Sequence, residues 1–270
     1  GDEDRELRAM AAKLLSTFQH MDPSTHLIRA LKNDRHSQVR RAAAESLGNS
    51  IIITDEIENA VIEALYDRSK LVRRAVVQSL RLLESTSAVP GLIGVMLGDA
   101  DSHVRLEATK TLDALEAGEA IPAFIEALNA DENSYVRYTA AGALGKYEYS
   151  DLIVKALANT LQADKNSYVR HAAATTLATL LQRTQEPDIV RLMLTGLDDA
   201  NTHVWHTIAE GLWGAADVVI PVVMERLLST NSSRRATALK AALWLSAEFD
   251  DDYAPSLDDE IDPSTYGWWN

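Results

Sequence analysis

Asp131-Glu132-Asn133-Ser134-Tyr135-Val136-Arg137 is the stretch that decides the fold, because its frame returns along the chain. An Asp, four variable residues and then Val-Arg recur as Asp34 with Val39-Arg40, Asp67 with Val72-Arg73, Asp99 with Val104-Arg105 and Asp164 with Val169-Arg170. A further copy, Asp199 with Val204-Trp205, keeps the frame and loses the Arg. Successive valines stand 33, 32, 32, 33 and 35 residues apart, and a leucine follows each by eight: Leu47, Leu80, Leu112, Leu144, Leu177 and Leu212. Self-similarity at such a period marks supersecondary units that bury their apolar faces by stacking on one another.

Within a unit, the valine, the residue four later (Ala43, Val76, Ala108, Ala140, Ala173, Ile208) and the leucine form one apolar stripe of a helix. Upstream runs such as Phe124-Ile125-Glu126-Ala127-Leu128 and Leu192-Met193-Leu194-Thr195-Gly196-Leu197 supply a preceding helix, so each unit reads as a hairpin of helix A and helix B. Pro23, Pro90, Pro122, Pro187 and Pro221 fall at the expected starts of helix A, where a missing N–H costs nothing. Asp101, Asn133, Asn166 and Asn201 stand where they can cap helix B. Gly48, Gly118, Gly145 and Gly214 stand near its end, where a left-handed residue is expected.

Ala120-Ile121-Pro122-Ala123-Phe124-Ile125-Glu126-Ala127-Leu128 followed by Asp131 and Val136-Arg137, together with Ala88-Val89-Pro90-Gly91-Leu92-Ile93, resembles the HEAT-repeat family in its short, phycobilisome-lyase-like form. The resemblance implies an all-α, right-handed α-α superhelix of about seven hairpins over residues 22–248. It also implies a hydrogen-bonded ladder bracing adjacent repeats through Asp34, Arg40, Asp67, Arg73, Asp99, Arg105, Asp131, Arg137, Asp164 and Arg170. Residues 1–21, with Leu7, Met10, Leu14, Leu15 and Phe18, are expected to form an N-terminal capping helix. Residues 249–270 form an acidic, aromatic tail without helical period, ending in Tyr266-Gly267-Trp268-Trp269-Asn270. That tail reads as a motif docking on a partner, a segment docking back on the basic repeats, or a link to another domain.

Charge and composition narrow the function. The 270 residues carry a net charge of −14 with 46% hydrophobic residues and three Phe, so the interior is built largely from Leu, Ala, Val and Ile. Eight acidic and no basic residues lie in 248–270, whereas 27–81 has ten basic against seven acidic. Such an acidic chain disfavours binding to nucleic acid or anionic membrane. Absence of cysteine removes disulfides, thiol nucleophiles and zinc-cysteine sites, and a reducing, cytoplasmic setting is the expectation. No apolar run is long enough to suggest a membrane span.

No glycine-flanked nucleophile, phosphate-binding glycine loop or His-Glu-x-x-His helix occurs, and no histidine is followed by Glu as in the iron-binding HEAT hydroxylases. No catalytic residue, cofactor or metal is therefore expected. His203, His206 and Glu210 share a helix face at metal-compatible spacing, but three such residues on one short face without a further residue to orient them are more often plain surface.

Positions one before, two after and six after each repeat valine share one face of helix B and, across copies, one surface. That surface, expected to be concave, carries Arg41, Arg74 and Leu106 in its first part. Tyr135, Tyr138, Tyr168, His171, His203 and His206, joined by Trp205, follow. Aromatics and arginines are the usual anchors of interfaces. The reading is a non-catalytic scaffold that binds a protein partner through this surface. A bilin lyase or isomerase, from the resemblance, is the alternative, and nucleic-acid binding through Arg40, Arg41, Arg73 and Arg74 is a third.

Overall fold

The computed structural model describes residues 2–15, 23–50 and 52–246, and among them are fifteen α-helices and no strand. The first, α1 (Asp2–Leu15), is followed by seven hairpins. They are α2 (Ser24–Asn33) with α3 (Ser37–Gly48), α4 (Asp55–Glu63) with α5 (Lys70–Leu82), α6 (Val89–Gly98) with α7 (Ser102–Ala114), and α8 (Ile121–Ala130) with α9 (Ser134–Leu144). Then come α10 (Asp151–Ala163) with α11 (Ser167–Thr184), α12 (Pro187–Met193) with α13 (Thr202–Trp213), and α14 (Ala216–Leu227) with α15 (Ser232–Ser246). Phe18, Gln19 and residues 247–270, including the acidic aromatic tail, lie outside the described residues.

One continuous core runs the length of the stack. Val39, Val72, Val104, Val136, Val169 and Val204, with the six repeat leucines, are buried along its axis. Each leucine so buried contributes about 1.5–3 kcal/mol.

From the first hairpin to the sixth, the second helices of successive hairpins pack on one another more closely than the first helices do, whereas at the last junction α12 and α14 pack more closely than α13 and α15. Small residues permit this: Ala42, Ala43, Ala44, Ala75, Ala108, Ala140, Ala141, Ala173 and Ala174 are all buried there. A stack tighter on one side bends toward that side, so the second helices line the inner curve.

Across that tight layer runs a column of buried hydroxyls that the sequence reading did not detect. Ser46 Oγ donates to Ala12 O at 2.8 Å, Ser79 Oγ to Ala44 O at 2.8 Å, Thr111 Oγ1 to Val77 O at 3.4 Å, and Thr176 Oγ1 to Ala141 O at 3.0 Å. Each donor stands seven residues after its repeat valine. Ala143 and Gly211 occupy the same position in the other two copies.

Two expectations are corrected. None of Gly48, Gly118, Gly145 and Gly214 adopts a left-handed conformation, and the positive-φ residues that end helices are Glu84 (51°), Glu116 (49°) and Gln185 (56°). Gly48 serves close approach instead, since a Cβ there would lie 2.6 Å from Ser79 Cβ. Pro221 stands inside α14 and not at its start, unlike Pro90, Pro122 and Pro187.

The first helix carries the repeat frame. Leu7-Arg8 stands 32 residues before Val39-Arg40. Arg8 Nε donates to Asp34 Oδ2 at 2.9 Å, and the Ala12 carbonyl accepts from Ser46 as Ala44 accepts from Ser79. α1 thus covers α3 as a second helix covers the next, and it leaves Leu7, Met10 and Leu14 exposed on its outer side.

Candidate functional site

Five arginines brace the stack. Arg40, Arg73, Arg105, Arg137 and Arg170 grip the carboxylates of Asp67, Asp99, Asp131, Asp164 and Asp199 in the following hairpin, each through Nε and Nη2, at 2.6–2.9 Å. Nη1 of each donates to the carbonyl of the Asp in its own hairpin, as Arg137 does to Asp131 O at 2.8 Å. Planar bidentate pairs of this kind fix orientation as well as contributing energy. Burial works to raise the carboxyls of Asp67, Asp164 and Asp199, but the facing guanidinium and a backbone N–H outweigh it and hold each below the usual Asp range.

The ladder positions the inner face through a short relay. Asp131 Oδ1 accepts from the Asn133 N–H at 2.8 Å, and Asn133 Oδ1 accepts from the Tyr135 N–H at 2.8 Å. Asp164, Asn166 and Tyr168 repeat the arrangement, as do Asp199, Asn201 and His203, and Asp99, Asp101 and His103. The first residue of each inner-face column is thereby anchored to the guanidinium of the preceding hairpin.

On that face Tyr135, Tyr138 and Tyr168 are 52%, 47% and 51% exposed. Between α9 and α11 the surface dips into an open depression of about 320 Å³, lined by Tyr138, Gly142, His171 and Thr175. His171 is half-buried, and its pKa is lowered by burial first and then by the neighbouring His203, with Glu210 opposing. Trp205 stacks on His206 with ring centroids 4.1 Å apart. Leu106 is partly buried against the core.

Residues 57–145 match the family described as HEAT repeats. YibA of Escherichia coli is similar in structure, with TM-score 0.58 and 23% identity over 88% of this chain and 85% of that one. The fold is that of a HEAT-repeat solenoid. Importin beta (TM-score 0.57, 14% identity, 88% of this chain) and Kap121p bound to the extreme C-terminus of the protein phosphatase Cdc14p (TM-score 0.63, 12% identity, 88% of this chain) share the solenoid. This chain spans 38% and 31% of those two larger proteins. No curated protein matches it in sequence.

Within the HEAT frame, the basic end of the inner face is weaker than its residue types imply. Arg41 Nε donates to Glu45 at 2.6 Å, and Arg40 and Arg73 spend their charge on the ladder, which leaves Arg74 as the inner-face arginine without an ion pair among the described residues. His203, His206 and Glu210 share α13, yet no cluster of three or more His, Cys, Asp or Glu among the described residues could hold a metal ion. Among those residues no single helix is long and apolar enough to cross a membrane.

Two ladder members were missed in the sequence. Asp199, whose copy had lost its own Arg, still accepts from Arg170, and Arg8 extends the ladder backward to Asp34. The frame itself was the signal for both. The rung that would follow Arg170 and Asp199 is absent on both sides: Trp205 replaces the Arg and Ser229 stands in the Asp position. Ser229 keeps the local part of the role, accepting from the Asn231 N–H at 3.2 Å and, through its carbonyl, from Arg235 Nη1 at 2.8 Å.

Proposed function

We propose that the chain is a non-catalytic scaffold that holds a protein partner against the inner face of its second helices. The observation that carries this is the column of Tyr135, Tyr138 and Tyr168, each about half exposed on well-anchored helix starts. Tyrosine supplies large contact area at small entropic cost, and aromatic side chains dominate the energetics of interfaces. His171, His203 and His206 continue the column, and the depression beside Tyr138 offers a seat for an apolar side chain. A solenoid of the same fold, Kap121p, was solved with a C-terminal segment of another protein. An extended segment laid along the curve is the partner that suits a stack of equivalent columns.

Affinity capture from the native cell with the wild-type chain and with Tyr135→Ala/Tyr138→Ala/Tyr168→Ala tests the reading. Loss of two or more anchoring residues weakens capture at least tenfold while circular dichroism stays that of the wild type. Undiminished capture by the folded triple variant contradicts the inner-face site.

A further inference from the structure

The two ends of the described stack are complementary in register, apolarity and charge. Inside the stack, residues at the repeat valine and three after it are covered: Val39 and Ala42, Val72 and Ala75, Val104 and Glu107, and Val169 and Ala172 are buried, and Thr139 and Thr207 are half-buried. On α1 the same positions are Leu7 and Met10, 65% and 60% exposed. At the other end, the position five after the valine faces the following second helix, as Ala44, Val77 and Ala141 do through their carbonyls. Those residues and Ala174 are fully buried, whereas Leu239, at that position on α15, is 54% exposed.

Polar groups match as well. Arg235 holds the ladder position of the last hairpin, and its Nη1 donates to Ser229 O at 2.8 Å as Arg40 Nη1 does to Asp34 O. Among the described residues no carboxylate meets its remaining donors. Residues 2–6 carry four acids and one Arg, while the last hairpin carries Arg226, Arg234, Arg235 and Lys240 against Asp217 and Glu225.

We infer that copies of this chain stack end to end, α15 of one covering α1 of the next in the geometry that α3 and α5 use within the chain. The contact is heterologous, so each end is satisfied by a different surface and growth continues beyond a dimer. It brings Arg235 of one copy toward the acidic N-terminal end of α1 in its neighbour and buries Leu239 against Leu7 and Met10. This inference is independent of the inner-face reading, since the surfaces do not coincide.

Sedimentation velocity on the 270-residue chain from about 1 µM to 1 mM tests it. The average mass is expected to rise with concentration past the dimer. Leu7→Glu/Met10→Glu and Leu239→Glu, both surface changes that leave helicity unchanged, each remain monomeric alone. Mixed in equal amounts they form a dimer that grows no further, because one intact face remains on each. A 270-residue chain that is monomeric at every concentration overturns the inference, whatever covers the α15 face. So does either variant associating alone as the wild type does.

Discussion

Arg137 and Asp164 are nearly wholly buried, and their contact is bidentate at 2.7 and 2.9 Å. Breaking such a pair from one side leaves a buried charge without its partner, which costs about 3–5 kcal/mol. Arg137→Ala should lose that much in urea unfolding, and adding Asp164→Ser should restore part of it, a result opposite to additivity. The junction of the sixth and seventh hairpins shows why: there Trp205 and Ser229 replace both members together. At the inner face, His203→Ala should raise the His171 pKa only part of the way to its ordinary value, because burial is the larger cause and persists. An NMR titration of the His171 ring checks this, and an unchanged value would separate the two histidines.

Glycine behaves differently in different second helices, and the difference lies in what stands opposite. Gly211 in α13 faces Ala178, and a Cβ there would lie 2.5 Å from its Cβ, so Gly211→Ala should cost about 1–3 kcal/mol through overpacking. Gly142 in α9 has nothing within 4 Å, and Gly142→Ala should add about 0.5–1 kcal/mol through helix propensity. Thermal unfolding of the two variants distinguishes opposite signs. The hairpins themselves were legible in the sequence, because Val136, Ala140 and Leu144 repeat at a fixed offset in every copy and packing demands it. Close approach was not, since Gly48 pressed against Ser79 and a glycine in a left-handed turn look alike in one sequence. The hydroxyl column was hidden for a related reason: Ser46, Ser79, Thr111 and Thr176 alternate with Ala143 and Gly211, so only small size is held constant. On the inner face, the identity of the exposed tyrosines was readable from spacing, but the pairing of Arg41 with Glu45 was a matter of rotamer.

Over the whole molecule, the ladder couples stability to acidity. Asp34, Asp67, Asp164 and Asp199 are held below the usual Asp range in the folded chain, so the unfolded chain binds protons more readily. Their contribution is complete above the unfolded value of about 3.9 and is lost as pH falls through the folded values. The thermal midpoint should therefore hold level in this respect above about pH 5 and drop steeply below about pH 4. Because each guanidinium reaches only into the next hairpin, stability should follow neighbour contacts along a line. The same linearity makes the inner face a row of equivalent positions, and it can be measured directly. The chain has no cysteine, so pairs introduced at Gln38 and at Leu71, His103, Tyr135, Tyr168 or His203 can be spin-labelled without background. Pulsed dipolar spectroscopy should give distances from Gln38 that lengthen at every step, by about 8–10 Å per hairpin less the curvature. A distance to His203 no longer than that to His103 would contradict the stacked solenoid.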